Sequence, residues 1–157
     1  MNTMSIDPSV RSCGWAVWKN KSLKDFGVMY AANTKEKDWQ QSGEEIGNSL
    51  RDKAVKWKVE KVYCEFPAYF GDNVAAHSGS LVKLSWMVGF LNGLFIAQNV
   101  SYELVRVNDW KGQLPKNIVQ MRIARILPKN IIRRLNSMRS DAYDAVGIGL
   151  FIHGRMK

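Results

Sequence analysis

The first third of the chain contains short apolar runs separated by polar turns, and this arrangement constrains the fold more than any other feature. In residues 3–7 apolar and polar side chains alternate, as they do in a strand with one buried face. Two further apolar runs, residues 13–18 and 26–31, flank the polar segment 19–22. The spacing predicts three consecutive strands joined as a meander.

Beyond the meander, predicted helices alternate with strands. Apolar residues recur at helical spacing over 39–57, and a short strand is predicted at 61–65. A largely apolar helix is predicted over 78–99, a fifth strand over 102–107, and helices over 117–127 and from Ser140 onward. We expect residues 1–157 to form one α/β domain, a mixed five-stranded sheet with helices on both faces.

Positive charge is concentrated in the last third of the chain. Residues 111–157 contain 10 Lys and Arg against 2 Asp and Glu, whereas residues 1–110 contain 13 against 12. Such a segment favours an anionic partner such as nucleic acid, because each neutralised phosphate releases counterions. The alternative is a solvated basic surface without a partner. The candidate phosphate contacts are Lys111, Lys116, Arg122, Arg125, Lys129, Arg133, Arg134 and Arg139.

The sequence argues against export and against a membrane location. It contains no run of 18 apolar residues, and no basic and apolar leader precedes the first predicted strand. Cys13 and Cys64 lack the paired spacing of a zinc site and are expected to be reduced thiols. We therefore expect a cytoplasmic protein.

Four carboxylates occupy the ends of predicted elements. Asp7 ends the first strand and Glu65 the fourth, while Asp141 and Asp144 lie three residues apart near the start of the last helix, on one side of it. Taken singly, they could be a turn residue, an exposed strand end or a favourable charge at a helix N-terminus. Clustered carboxylates repel one another without metal, so their convergence would predict divalent ions such as those that assist phosphodiester hydrolysis.

Three segments resemble the RuvC family of Holliday junction resolvases, which have the RNase H-like fold. Residues 6–17 (IDPSVRSCGWAV) resemble the first hairpin of that family, 62–65 (VYCE) the fourth strand, and 141–145 (DAYDA) the final helix. Ser9 departs from the glycine usual in the family, and residues 108–116 are more similar to phage-encoded relatives.

The resemblance implies a metal-dependent endonuclease that resolves four-way DNA junctions by paired nicks. Its catalytic and metal-binding tetrad would be Asp7, Glu65, Asp141 and Asp144, which would hold two Mg²⁺ ions, with Mn²⁺ as a possible substitute. The family carries an aromatic residue in the loop after the fourth strand that enters the junction. Here that residue would be Tyr69 or Phe70, which could stack on an unpaired base.

The helix predicted over 78–99 is apolar on most of its circumference, so one packed face cannot bury all of it. We expect a homodimer built on this helix, which would place one active site on each of two equivalent strands of a junction. The alternative is that another helix of the same chain covers the second face.

Other classes remain open. The alternatives are another RNase H-like nuclease acting on branched DNA or an RNA/DNA hybrid, and a junction-binding protein without catalysis. An editing exonuclease is disfavoured, because Ser9 stands where that class has the Glu of an Asp-x-Glu motif. An actin-like or sugar-kinase ATPase is disfavoured because the chain offers neither a phosphate-cradling glycine near Asp7 nor a second domain.

Overall fold

A five-stranded sheet forms the centre of the computed structural model, which describes residues 1–32, 38–66 and 79–156. The strands lie in the order β3-β2-β1-β4-β5. β1 pairs antiparallel with β2 and β2 with β3, whereas β4 is parallel to β1 and β5 to β4. The predicted mixed sheet is therefore confirmed. The strands are β1 (Asn2–Asp7), β2 (Ser12–Lys19), β3 (Ser22–Tyr30), β4 (Lys61–Phe66) and β5 (Ser101–Arg106).

The hairpin between β2 and β3 is tighter and longer than the sequence predicted. Lys19 pairs directly with Ser22, so only two residues form the turn. Those residues, Asn20 and Lys21, have φ values of 49° and 67°, in the left-handed region. A two-residue turn with positive φ at both positions matches the twist of paired strands. Both strands therefore extend through residues that the apolar pattern had left in the loop.

Helices cover both faces of the sheet. Within the described residues they are α1 (Trp39–Lys56), α2 (Ser80–Ile96), α3 (Val107–Trp110), α4 (Lys116–Ile126), α5 (Lys129–Asn136) and α6 (Ser140–Ile152). The short helices α3 and α5 were not predicted. The sequence pattern indicates that Pro128 ends the helical region. In the structure Pro128 instead precedes the first residue of α5, a position where proline is tolerated. No helix in the described ranges is long and apolar enough to cross a membrane.

Two hydrophobic clusters hold the helices to the sheet. α1 and α2 pack on the face that presents Met4, Ile6 and Val62, all fully buried. α6 packs on the opposite face, over Ala16 and Trp18, with α4 and α5 beyond it. Helices therefore cover the sheet on both of its faces.

Most of the apolar surface of α2 is buried within its own chain. Leu91 is fully buried. The Trp86 ring lies over Gly43 of α1 and the Phe90 ring over Gly47, and a Cβ atom at either glycine would collide with the ring above it. Another helix of the same chain, α1, therefore covers the second face of α2, and a homodimer on the remaining face of this helix stays a prediction. The outward face of α2 retains Val82 and Ile96 and two glycines, Gly89 and Gly93.

The start of α6 lies directly on the sheet at Gly14. A Cβ atom at this position would overlap the carbonyl oxygen of Asp141, so only glycine allows the approach. Two hydroxyls also fix the helix: Ser12 Oγ donates to Asp141 Oδ2 at 2.9 Å, and Ser5 Oγ donates to the carbonyl oxygen of Ala145 at 2.7 Å. These contacts hold the first turns of α6 above the end of β1.

Gly14→Ala should displace α6 and lower the free energy of unfolding by about 3 kcal/mol, because the added methyl group meets backbone that cannot move independently. The matched control is Gly27→Ala in the neighbouring strand, where the atoms nearest to the added Cβ would belong to the Trp15 ring, the first of them at 3.1 Å. That variant should lose about 1 kcal/mol or less. Urea denaturation followed by circular dichroism measures the free energy of unfolding of both variants. Equal losses would show that the position of α6 does not require glycine at residue 14.

Candidate active site

Asp7 and Glu65 lie side by side at one edge of the sheet. β1 and β4 are parallel neighbours in which Ile6 pairs with Cys64, and the two carboxylates are the next residues of each strand. Ile6 and Cys64 both belong to the cluster under α1 and α2. Because successive side chains alternate across a strand, Asp7 and Glu65 point to the other face, which α6 covers.

The electrostatics show that all four predicted carboxylates converge. The pKa of Asp7 is raised well above its ordinary value, first by burial and then by the charges of Glu65, Asp144 and Asp141. Burial also raises the pKa of Glu65, and Asp144 adds to that rise. The pKa of Asp144 is raised by burial and by the charge of Asp141. The structure therefore brings together residues that are up to 137 positions apart in sequence.

Lys111 lies among these carboxylates. Its Nζ atom is 3.4 Å from Glu65 Oε2 and 3.9 Å from Asp144 Oδ2, and its charge partly offsets the rise in the pKa of both groups. The sequence predicted Lys111 only as a phosphate contact on a basic surface. In the structure its ammonium group also provides the nearest positive charge to the acidic cluster, which no sequence pattern indicated.

Trp110 is a further residue that sequence analysis missed. Its indole N–H donates to Glu65 Oε2 at 2.8 Å and thereby fixes one carboxylate oxygen. The ring packs on Gly147 of α6, where a Cβ atom would come within 2.6 Å of it. One feature could have indicated this role. Trp110 follows β5, whose carboxyl end lies beside that of β4, so residues just beyond the two strands come close together.

The acidic cluster has the chemistry of a divalent-cation site but not a finished ligand set. No hydrogen bond reaches the Asp7 carboxylate within residues 1–32, 38–66 and 79–156, although burial and then the neighbouring carboxylates raise its pKa. In the same ranges, no three His, Cys, Asp or Glu side chains are grouped closely enough to hold a metal ion. Carboxylate oxygens are the donors that Mg²⁺ and Mn²⁺ prefer, so the chemistry of these residues fits such an ion.

The basic candidates differ in their relation to the acidic cluster. Lys116, exposed at the start of α4, lowers the pKa of Asp144 and so lies near the acidic residues. Arg134 is engaged within the chain, donating to Asp25 Oδ1 at 3.1 Å and to the carbonyl oxygen of Phe26 at 2.9 Å. Exposed side chains on α4, on α5 and just before α6 are Arg122, Arg125, Lys129, Arg133 and Arg139. Tyr69 and Phe70 lie outside the described residues.

The strand order, together with a helix packed over the carboxyl ends of β1 and β4, defines an RNase H-like α/β fold. No protein-family model and no curated protein matches the sequence. Among solved structures, T. thermophilus RuvC in complex with a Holliday junction substrate is similar with a TM-score of 0.71 and 18% identity, over 99% of this chain and 95% of that chain.

Two further structures share the fold. Fowlpox virus resolvase in complex with Holliday junction DNA matches with a TM-score of 0.57 and 15% identity, over 98% of this chain and 97% of that chain. The yeast mitochondrial Holliday junction resolvase matches with a TM-score of 0.63 and 14% identity, over 96% of this chain and 77% of that chain. At such low identity these likenesses establish the fold.

Asp7→Asn should stabilise the protein in buffer free of divalent cations. Because the pKa of Asp7 is raised in the folded chain, the folded state binds this proton more tightly than the unfolded chain, whose value is about 3.9. Ionised Asp7 therefore costs stability above that pH. At pH 7.5 the gain in the free energy of unfolding should be about 1 kcal/mol or more, and it should disappear as the pH falls towards 4.

Denaturant unfolding of wild type and variant across this pH range measures the effect. The control is Asp52→Asn, whose carboxylate is exposed, with 70% of the side chain accessible, and pairs only with Arg51 next to it. It should change stability little at any pH. Equal stability of wild type and Asp7→Asn at pH 7.5 would mean that burial and the neighbouring carboxylates do not disfavour ionised Asp7.

Proposed function

We propose that this chain is a structure-selective DNA endonuclease that hydrolyses phosphodiester bonds in four-way junctions with the help of divalent metal ions. The observation that carries the proposal is the convergence of Asp7, Glu65, Asp141 and Asp144 at one edge of an RNase H-like sheet. The likeness to two resolvase structures solved with Holliday junction DNA, over almost the whole length of each chain, supports four-way junctions as the substrate class.

The four carboxylates would hold the metal, as one or two Mg²⁺ or Mn²⁺ ions. Such ions, when bound, make a water molecule nucleophilic and stabilise the charge on the leaving oxygen. The chain itself supplies position and environment. Trp110 holds one oxygen of Glu65 and the Ser12 hydroxyl holds one oxygen of Asp141, while burial keeps bulk water away from Asp7.

Lys111 would act on the substrate from within the cluster. Its ammonium group lies close to Glu65 and Asp144 and partly balances their charge, as Lys116 also does for Asp144. Once that charge is neutralised by another cation, the flexible side chain is free to donate to a phosphate oxygen. This role preserves the predicted DNA contact of Lys111 and adds a reason for its position next to the acidic residues.

The basic side chains of α4, α5 and the turn before α6 would hold the DNA backbone on either side of the site. Lys116 and Arg139 are exposed and belong to elements that reach the acidic cluster. Positive charge around a negative centre allows phosphates to approach carboxylates that would otherwise repel them. A junction-binding protein without catalysis would need the basic surface but not a cluster of four carboxylates, three of which are disfavoured in their charged form by burial.

Asp7→Asn should abolish cleavage of a synthetic four-way junction and leave binding intact or tighter, because one negative charge near the phosphates is gone. Gel analysis of labelled junction and linear duplex, with Mg²⁺ and with EDTA, measures cleavage, and fluorescence anisotropy measures binding. The control Asp52→Asn should cut as wild type does. Full cleavage by Asp7→Asn, or equal cleavage with EDTA, would overturn the metal-dependent assignment.

We also propose that the active form is a homodimer, with α2 at the interface. The outward face of α2 presents Val82 and Ile96, which are 68% and 57% exposed, on the same side as Gly89 and Gly93. Positions 82, 89, 93 and 96 fall on one helical stripe, opposite the buried residues of this helix. Glycines on such a stripe allow two backbones to approach closely, and a two-fold pair of sites suits the two equivalent strands of a junction.

Val82→Glu should separate the subunits, since it places a charge on the proposed interface. Light scattering should give wild type a mass of about twice 17.9 kDa at micromolar concentration and the variant a mass near 17.9 kDa. Val55→Glu on α1, where the side chain is 63% exposed, is the matched control and should remain dimeric. A monomeric wild type, or dissociation by both variants alike, would reject α2 as the interface.

A further inference from the structure

A groove with a volume of about 570 Å³ lies between the edge strand β3 and the turn that joins α5 to α6. Neither the sequence resemblance nor the proposed function assigns it a role. Its volume falls within the range of about 300–1,000 Å³ that is typical of small-molecule sites, so it has room for one nucleotide but not for a duplex. The side chains that define it are Phe26, Val28, Tyr30, Arg134, Met138 and Arg139.

The groove opens beside the acidic cluster. Tyr30, at the end of β3, pairs in register with Ser12, whose hydroxyl donates to Asp141 Oδ2 at 2.9 Å. On the other wall, Arg139 directly precedes α6 and is two residues from Asp141. A strand of DNA whose phosphate lies at the carboxylates would therefore reach this groove within a short distance along the chain.

The two walls differ in rigidity and in available charge. Arg134 is fixed by its hydrogen bonds to Asp25 and to the backbone of Phe26, and its guanidinium lies 4.3 Å from the centre of the Phe26 ring. Arg139 is exposed, and no ion pair engages it among the described residues. On one side of the groove, therefore, the Arg134 side chain is held in place by its contacts. On the other side, the exposed Arg139 guanidinium can reach a phosphate.

Tyr30 supplies the complementary feature for a base. Tyr30 is 50% exposed and lies at the end of a strand that is buried only at Phe26 and Gly27. An exposed aromatic ring and an exposed guanidinium in one groove can bind an unpaired nucleotide, because the base stacks on the ring while the phosphate pairs with the cation. A paired base cannot use it, since its faces are already stacked in the duplex.

We propose that this groove binds one unpaired nucleotide of the cleaved strand next to the scissile phosphate, with its base stacked on Tyr30 and its phosphate paired with Arg139. The proposal rests on the proposed nuclease function. It adds a second contact for unpaired bases to the expected one at Tyr69 or Phe70. Because stacking accepts every base, the groove selects for local unpairing rather than for sequence.

Binding of a four-way junction in EDTA, measured by fluorescence anisotropy, tests the proposal. Tyr30→Ala should weaken binding about five- to tenfold, whereas Tyr30→Phe, which keeps the ring, should stay within about twofold of wild type. Arg139→Ala should weaken binding and lower the salt dependence by about one counterion. Arg155→Ala, an exposed arginine beyond the far end of α6, is the matched control and should have no effect.

Photocrosslinking gives a readout that does not depend on affinity. 5-Iodouracil placed within about three nucleotides of the cut should crosslink to Tyr30, and the adduct is located by mass spectrometry. Thermal melting confirms folding of the variants; should Tyr30→Ala fail to fold, Arg139→Ala and the crosslink decide the outcome.

Wild-type binding by both Tyr30→Ala and Arg139→Ala, without a crosslink at residue 30, would overturn the proposal. If Lys116→Ala weakens binding in the same assay, the proposed nuclease function stands and only the groove is excluded from the DNA path. If the wild-type protein neither binds nor cuts junctions, the proposed function fails and the groove proposal fails with it.

Discussion

The contact between the first turn of α6 and the sheet at Gly14 is the constraint on which the rest of the site depends. It brings the backbone of Asp141 onto β2 and thereby places Asp141 and Asp144 over the strand ends that present Asp7 and Glu65. The helix is held there by buried residues such as Val146 and Ile148, so hydrophobic packing opposes the repulsion among the carboxylates. The fold thus keeps four acidic groups together at a cost in stability.

That cost explains the composition of the surrounding elements. Trp110 and Lys111 follow β5 and reach across to β4, where a hydrogen bond and a nearby ammonium group partly relieve Glu65. Lys116 does the same for Asp144 from the start of α4. The charge asymmetry of the sequence, near neutral up to residue 110 and strongly basic afterwards, therefore corresponds to a basic surround built around an acidic centre.

The sequence predicted the fold well because its strands alternate or are short and apolar, and because polar turns separate them. It indicated the four carboxylates as candidates because each stands at an element end, and their role as metal ligands stays a prediction. It did not predict α5, because a proline such as Pro128 is compatible both with the end of one helix and with the start of the next. The position of Lys111 depends on contacts with residues 46 and 33 positions away, which no local pattern contains. The packing of α1 on α2 depends on Gly43 and Gly47, which leave room for aromatic rings of α2. These glycines are four residues apart, a helical spacing that could have indicated a close contact between helices.

We propose that the four carboxylates of Asp7, Glu65, Asp141 and Asp144 bind divalent metal. Anomalous diffraction from crystals of the wild-type protein soaked in Mn²⁺ tests this most directly, because it locates the ion without reference to activity. We expect an anomalous peak in contact with these carboxylates, with the Lys111 ammonium displaced from its position between Glu65 and Asp144. A map without a peak at this end of the sheet, from crystals whose protein cuts junctions with Mn²⁺, would show that the four carboxylates do not bind the metal.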